Sequence, residues 1–98
     1  MPKKASDSSR FKGYNPALFQ VLKVARLTIA QQKDVPAYVI FSDSTLKEMA
    51  LRQPLTEQEF LSINGIGRQK FIEYFERFTA IIQDWQQTES ASFTPHRQ

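Results

Sequence analysis

Apolar residues recur at helical spacing in several stretches of this 98-residue chain and thin out towards both ends. Leu18, Leu22, Ala25 and Ile29 form one stripe, the three-to-four-residue repeat of an amphipathic helix. Asn15 as N-cap and Pro16 at the first helical position mark its start: the Asn side chain takes an orphan N–H, and proline has none to lose. The stripe runs to about Lys33, where Asp34-Val35-Pro36 breaks it, because a residue before proline avoids the helical region. Residues 35–41 are apolar, β-branched and aromatic. Nothing else in the chain can pair with them as a strand, so they read as a buried extended segment with room for one 3₁₀ turn.

Ser42 and Asp43 cap a second helix whose Leu46, Met49 and Ala50 face inward, and Gln53-Pro54 ends it. Thr56-Glu57-Gln58-Glu59 is a capping box, in which hydroxyl and carboxylate satisfy each other's backbone N–H. It opens a third helix with Phe60, Leu61 and Ile63 as apolar contacts. A further helix is predicted from about Gly67 to Trp85 or Gln86. Its Phe71, Tyr74, Phe75, Phe78, Ile81, Ile82 and Trp85 fall within an arc of about 120°, wide enough for the central wall of a bundle. With no strand pairs the predicted fold is all-α. The ordered domain is expected over residues 15–86, between a flexible basic leader (1–14) and a disordered tail (87–98).

Between the last two helices lies Ile63-Asn64-Gly65-Ile66-Gly67. Glycine permits backbone angles that a side chain forbids, so Gly65 and Gly67 can join two helices almost without a loop while Ile66 turns back into the core. The free N–H groups of the next helix would point outward, where the helix dipole favours an anion. This is the architecture of a helix-hairpin-helix, which can hold a nucleic-acid phosphate. On this segment alone a tight corner that binds nothing fits equally well.

Charge narrows the choice. The net charge is +3, but Lys3, Lys4, Arg10 and Lys12 against Asp7 put all of that excess in the leader. Residues 15–85 balance eight basic against eight acidic side chains, so a nucleic-acid site must come from local clustering. The absence of cysteine excludes disulfides and thiolate metal sites. No apolar run approaches the roughly 18–20 residues of a membrane span, and a soluble, cytoplasmic protein without membrane contact is expected. The chain lacks a Gly-x-x-x-x-Gly-Lys-[Ser/Thr] phosphate loop, so it cannot hold ATP as a helicase motor does. His96 is the one histidine, and acid pairs such as Glu57/Glu59 and Glu73/Glu76 have no third ligand near them in sequence. No catalytic residue, metal or cofactor is expected.

The order of signals resembles a known family. Leu18-Phe19-x-x-Leu22, Asp34-Val-Pro-x-Tyr38-Val-Ile-Phe41-Ser-Asp-x-Thr-Leu46, Met49-Ala50, Pro54 and the Ile63-x-Gly65-Ile-Gly67-x-x-Lys70 hairpin are similar to the HRDC domain. That module is found in RecQ-family DNA helicases, with relatives in ribonuclease D; Tyr38-Val-Ile-Phe-Ser-Asp43 looks more like the bacterial RecQ version. The resemblance implies about five short helices and an accessory role in recombination and repair. The implied ligand is weakly held single-stranded or junction DNA, bound without sequence readout. The helicase core or another repair protein is the alternative partner, and a ribonuclease D-like exonuclease the alternative parent. A monomer is expected.

Candidate contacts follow from residues and resemblance together. Tyr38, after Pro36-Ala37, can present its ring to solvent as a base-stacking platform, and the resemblance associates this position with single-strand binding. Lys23, Arg26 and Lys33 fall on one flank of the first helix, where a phosphate backbone could track towards Tyr38; a solvated helix face is the plainer reading. Gly65, Gly67, Arg68 and Lys70 form the hairpin candidate. DNA-binding hairpins commonly carry a small residue four positions after the second glycine, and here that position is Phe71. The departure points to a corner absorbed into bundle packing.

Overall fold

The Asn15 side chain accepts the N–H of Leu18 at 3.0 Å, and the first helix starts directly after it. This computed structural model describes residues 13–93, with side chains to residue 88. It comprises α1 (Pro16–Lys33), α2 (Ala37–Ile40), α3 (Asp43–Arg52), α4 (Glu57–Leu61) and α5 (Arg68–Phe93), with no strand among the described residues. None of these helices is long and apolar enough to cross a membrane. The predicted all-α class therefore holds. The leader up to residue 12 and residues 94–98 lie outside the described residues.

Two predicted elements differ. Residues 35–41 are not uniformly buried and extended: after Pro36 they close one α-helical turn, in which Phe41 N–H bonds the Ala37 carbonyl at 3.4 Å, entered by a 3₁₀-type bond from Val39 N–H to the Pro36 carbonyl at 3.0 Å. The turn delivers both Ile40 and Phe41 to the core while Tyr38 and Val39 face outward. A strand would have alternated them. Helix α5 also continues past the expected end at Gln86 to Phe93, because no glycine or proline interrupts the chain before Pro95.

Helix α1 packs on α2, α3 and α5, and α4 packs on α5. Phe41 is central to the core: its ring meets Tyr74 edge-on at 5.4 Å and Phe78 at 5.1 Å. Phe60 meets Phe75 at 5.4 Å, so the aromatic stripe of α5 is core, as its spacing predicts. Leu61 is an exception and stays exposed, since a five-residue helix turns only one side inward. The capping box forms: Thr56 Oγ1 accepts from Glu59 N–H, and Glu59 accepts from Leu55 and Thr56 N–H. Those backbone donors, Leu55 first, hold the Glu59 carboxyl below its ordinary pKa.

The glycine corner is secured from α3. Thr45 Oγ1 donates to the Asn64 carbonyl at 2.9 Å, and the buried Glu48 carboxylate accepts Asn64 N–H at 3.3 Å and Arg52 Nε–H at 2.9 Å. Gly65 has φ +93°, and a Cβ there would run into Thr45 Oγ1. Gly67 has no such need: its φ is ordinary and nothing lies within 4 Å of a Cβ. The predicted requirement for two glycines thus reduces to one. Ile66 turns into the core as expected.

Arg26 is the other interior polar anchor. Its Nη1 donates to the Phe41 carbonyl at 2.9 Å and pairs with Asp43 at 2.8 Å, fastening the α2–α3 junction to α1. Its Nε–H finds no partner among the described residues.

Two stability predictions follow from these anchors, both read by urea denaturation. Gly65→Ala should cost about 2 kcal/mol or more, from backbone strain plus the Thr45 contact, and Gly67→Ala less than about 1 kcal/mol; equal costs would refute the assignment. Arg26→Met should cost about 1–3 kcal/mol, the penalty for leaving the Phe41 carbonyl without its donor, and an unchanged midpoint would show that the anchor carries no load.

Candidate nucleic-acid interface

Asp34, in the left-handed region at φ 58°, ends α1 with its N–H on the Ala30 and Gln31 carbonyls, and Pro36 then leads into α2. Pro36 is extended (φ −63°, ψ 150°), and α2 begins at the next residue. Ile40 and Phe41 fasten the turn from beneath, at 1% exposure each, and leave Tyr38 71% exposed on the outer side. The phenol ring is therefore held by rigid backbone yet open to solvent, as a stacking platform requires.

Lys23 lies beside this turn. With Gln20, Val24, Arg26 and Leu27 of α1 it lines a shallow open groove whose other wall is Ala37, the neighbour of Tyr38. The Lys23 ammonium sits 5.1 Å from the Phe19 ring centroid, a cation–π contact that orders the side chain. Lys23 and Ala37, the residue before Tyr38, thus line the same groove.

Arg26 departs from the expected basic flank. Phe19 and Ala30 are buried along with Leu18, Leu22 and Ile29, which widens the inward arc of α1 until it includes position 26. Its guanidinium is committed to Phe41 and Asp43, so it is an internal anchor rather than a surface cation. Lys33 is surface-exposed at the end of α1, with Nζ 3.4 Å from a Glu73 carboxylate oxygen and 5.7 Å from the Tyr74 ring centroid. Hydrogen bonding to Tyr74, and then to Glu73, raises its pKa above the ordinary lysine value, so it stays charged at neutral pH. An exposed pair of this kind is weak and leaves the ammonium open to competition by a stronger anion.

Lys70 is half-buried, with its ammonium 5.6 Å from the Phe41 ring centroid. Phe41 and Tyr74 are in contact, so Lys70 and Lys33 each lie against one ring of the same buried aromatic pair. Arg68 is exposed at the start of α5. The contacts of Gly65 with Thr45, and of Asn64 with Thr45 and Glu48, account for the corner without a ligand.

Sequence reasoning missed two features. Lys47 of α3 reaches to 5.8 Å from the Phe19 ring and 6.0 Å from Tyr14, which joins it to the Lys23 neighbourhood through the α1–α3 packing that no local pattern reports. Val24 and Leu27 are 64% and 50% exposed; with Val21 they form a second, outward apolar line at three-residue spacing, a signal that the sequence did contain. No group of three or more His, Cys, Asp or Glu is placed to hold a metal among the described residues.

Comparison with known proteins bears on the family and the fold. The family model for the HRDC domain matches residues 15–82. The ATP-dependent DNA helicase RecQ of Pasteurella multocida is 46% identical over 70 residues, 71% of this chain and 11% of the relative. RecQ of Bacillus subtilis is 46% identical over 69 residues, 70% of this chain and 12% of the relative. This chain therefore spans only about a tenth of the curated relatives it matches. The solved structure of D. radiodurans RecQ HRDC domain 3 superposes with a TM-score of 0.68 at 29% identity, covering 70% of this chain and 91% of that one. In sequence and in fold, this chain belongs to the HRDC family, the non-catalytic accessory module of RecQ helicases.

Proposed function

We propose that this domain holds single-stranded or junction DNA weakly and without sequence readout, on behalf of a RecQ-type helicase acting in recombination and repair. The observation that carries the reading is Tyr38, an aromatic ring 71% exposed on a backbone turn whose neighbours Ile40 and Phe41 are locked in the core. One base stacks on that ring. Lys23 on one side and Lys33 and Lys70 on the other neutralise phosphates of the same strand, and Arg68 extends the cationic side. Arg26 supports the site from within. The glycine corner serves packing and contributes no phosphate contact beyond its flanking cations.

Local clustering also explains how a charge-balanced domain attracts a polyanion. Lys23 and Lys70 are offset by aromatic faces, which order an ammonium without cancelling its charge. The likeness to DNA helicases favours DNA over the RNA expected for a ribonuclease D-like parent. Weak affinity suits an accessory module, because a motor that must step needs a contact it can release.

Binding of a fluorescent oligothymidylate tests this. Tyr38→Ala should weaken it by about 1–3 kcal/mol, the worth of one stacked base. With about three phosphates neutralised, a fourfold rise in salt should weaken binding roughly 20-fold, and Lys23→Gln should lower the salt slope by about 0.7. Unchanged affinity in Tyr38→Ala would refute the stacking role.

A further inference from the structure

The groove between α1 and α2 is lined by Val24, Leu27 and Ala37, with Gln20 and Lys23 at its edge. The proposed strand path does not yet use it. Val24 at 64% and Leu27 at 50% exposure leave much apolar surface facing solvent, although the bundle core is complete without them. The groove adjoins Ala37, so it is continuous with the Tyr38 turn.

Three properties select its occupant. Its volume is ≈260 Å³, below the roughly 300 Å³ at which pockets for drug-sized molecules begin, a size that suits one ring system. Among its described lining residues Lys23 is the cation open to an anion, since Arg26 is already paired with Asp43, and none is a carboxylate, so the expected ligand is flat and apolar on its faces but anionic at its margin. Among the described lining residues, Gln20 supplies the one neutral side-chain hydrogen-bonding group, able both to donate to and accept from a base edge. A nucleotide has all these features.

From this geometry we infer that the α1–α2 groove is a second nucleobase subsite. The base next to the one stacked on Tyr38 lies against Val24 and Leu27, with its phosphate on Lys23. The inference rests on the single-strand reading above and deepens it: the domain engages a two-nucleotide step, and the exposed apolar line of α1 is part of the binding surface. Any base can present an apolar face to aliphatic side chains, so the subsite preserves sequence tolerance.

The test uses the full chain carrying Val24→Gln and Leu27→Gln together. Both positions are exposed and glutamine is a good helix former, so the melting temperature should stay at the wild-type value. Oligothymidylate affinity should fall about fivefold, the equivalent of roughly 1 kcal/mol of lost apolar contact, and the salt slope should not change because no cation is removed. Tyr38→Ala added to the double variant should weaken binding further. If the double variant binds as wild type while Tyr38→Ala alone is weakened, the groove is not a base subsite and the Tyr38 reading stands. If wild type binds no oligothymidylate, both fall together. If the double variant keeps its DNA affinity and instead loses binding to a purified RecQ motor fragment, the groove docks protein and the inference is overturned.

Discussion

Arg26 bridges two parts of the chain that lie fifteen residues apart: its guanidinium takes the Phe41 carbonyl and the Asp43 carboxylate together. That bridge decides where the α2 turn sits on α1. With the Phe41 backbone fixed, its ring enters the Tyr74–Phe78 cluster, and Tyr38, one turn earlier, has no room inside. The exposed ring is thus a consequence of an interior bond. A buried arginine is costly to desolvate unless its donors are used. Here one nitrogen serves both acceptors, and Asp43, being largely exposed, keeps part of its hydration.

The same economy governs the glycine corner. Thr45 and Glu48 of α3 reach across to Asn64 and hold the α4–α5 joint with two hydrogen bonds, and Gly65 lets the backbone come close enough for them to form. A motif associated with phosphate binding is used here to fix the direction of a long helix. Lys23, Lys33 and Lys70 each lie against an aromatic ring. The frame is what this chain shares with its RecQ relatives at the level of fold; the ligand is a property of which side chains the frame leaves outside.

Much of the frame was legible because its signals are local. Asn15-Pro16, Ser42 and the Thr56/Glu59 capping box each act within one helical turn, and each forms as its spacing predicts. The stripe of α5 was equally readable, since burial of Tyr74, Phe78 and Ile82 follows from period alone. What failed was long-range. Arg26 looked like a surface cation because its partner Phe41 belongs to another element, and only the width of the buried arc, visible in Phe19 and Ala30, hinted otherwise. The α2 segment was read as extended with room for one 3₁₀ turn because its β-branched composition disfavours helix locally, while an α-helical turn after proline suits two adjacent core anchors better. Gly67 drew attention through its pairing with Gly65, although only one of the two meets a neighbour.

The most direct measurement is a residue-resolved chemical-shift titration of the labelled chain with a short oligothymidylate. If an interior anchor presents Tyr38 for stacking, the largest shifts fall on Ala37, Tyr38, Val39 and Lys23, with smaller ones at Lys33 and Lys70. Shifts concentrated on residues 64–67, with Tyr38 unmoved, would contradict the account and return the phosphate to the glycine corner.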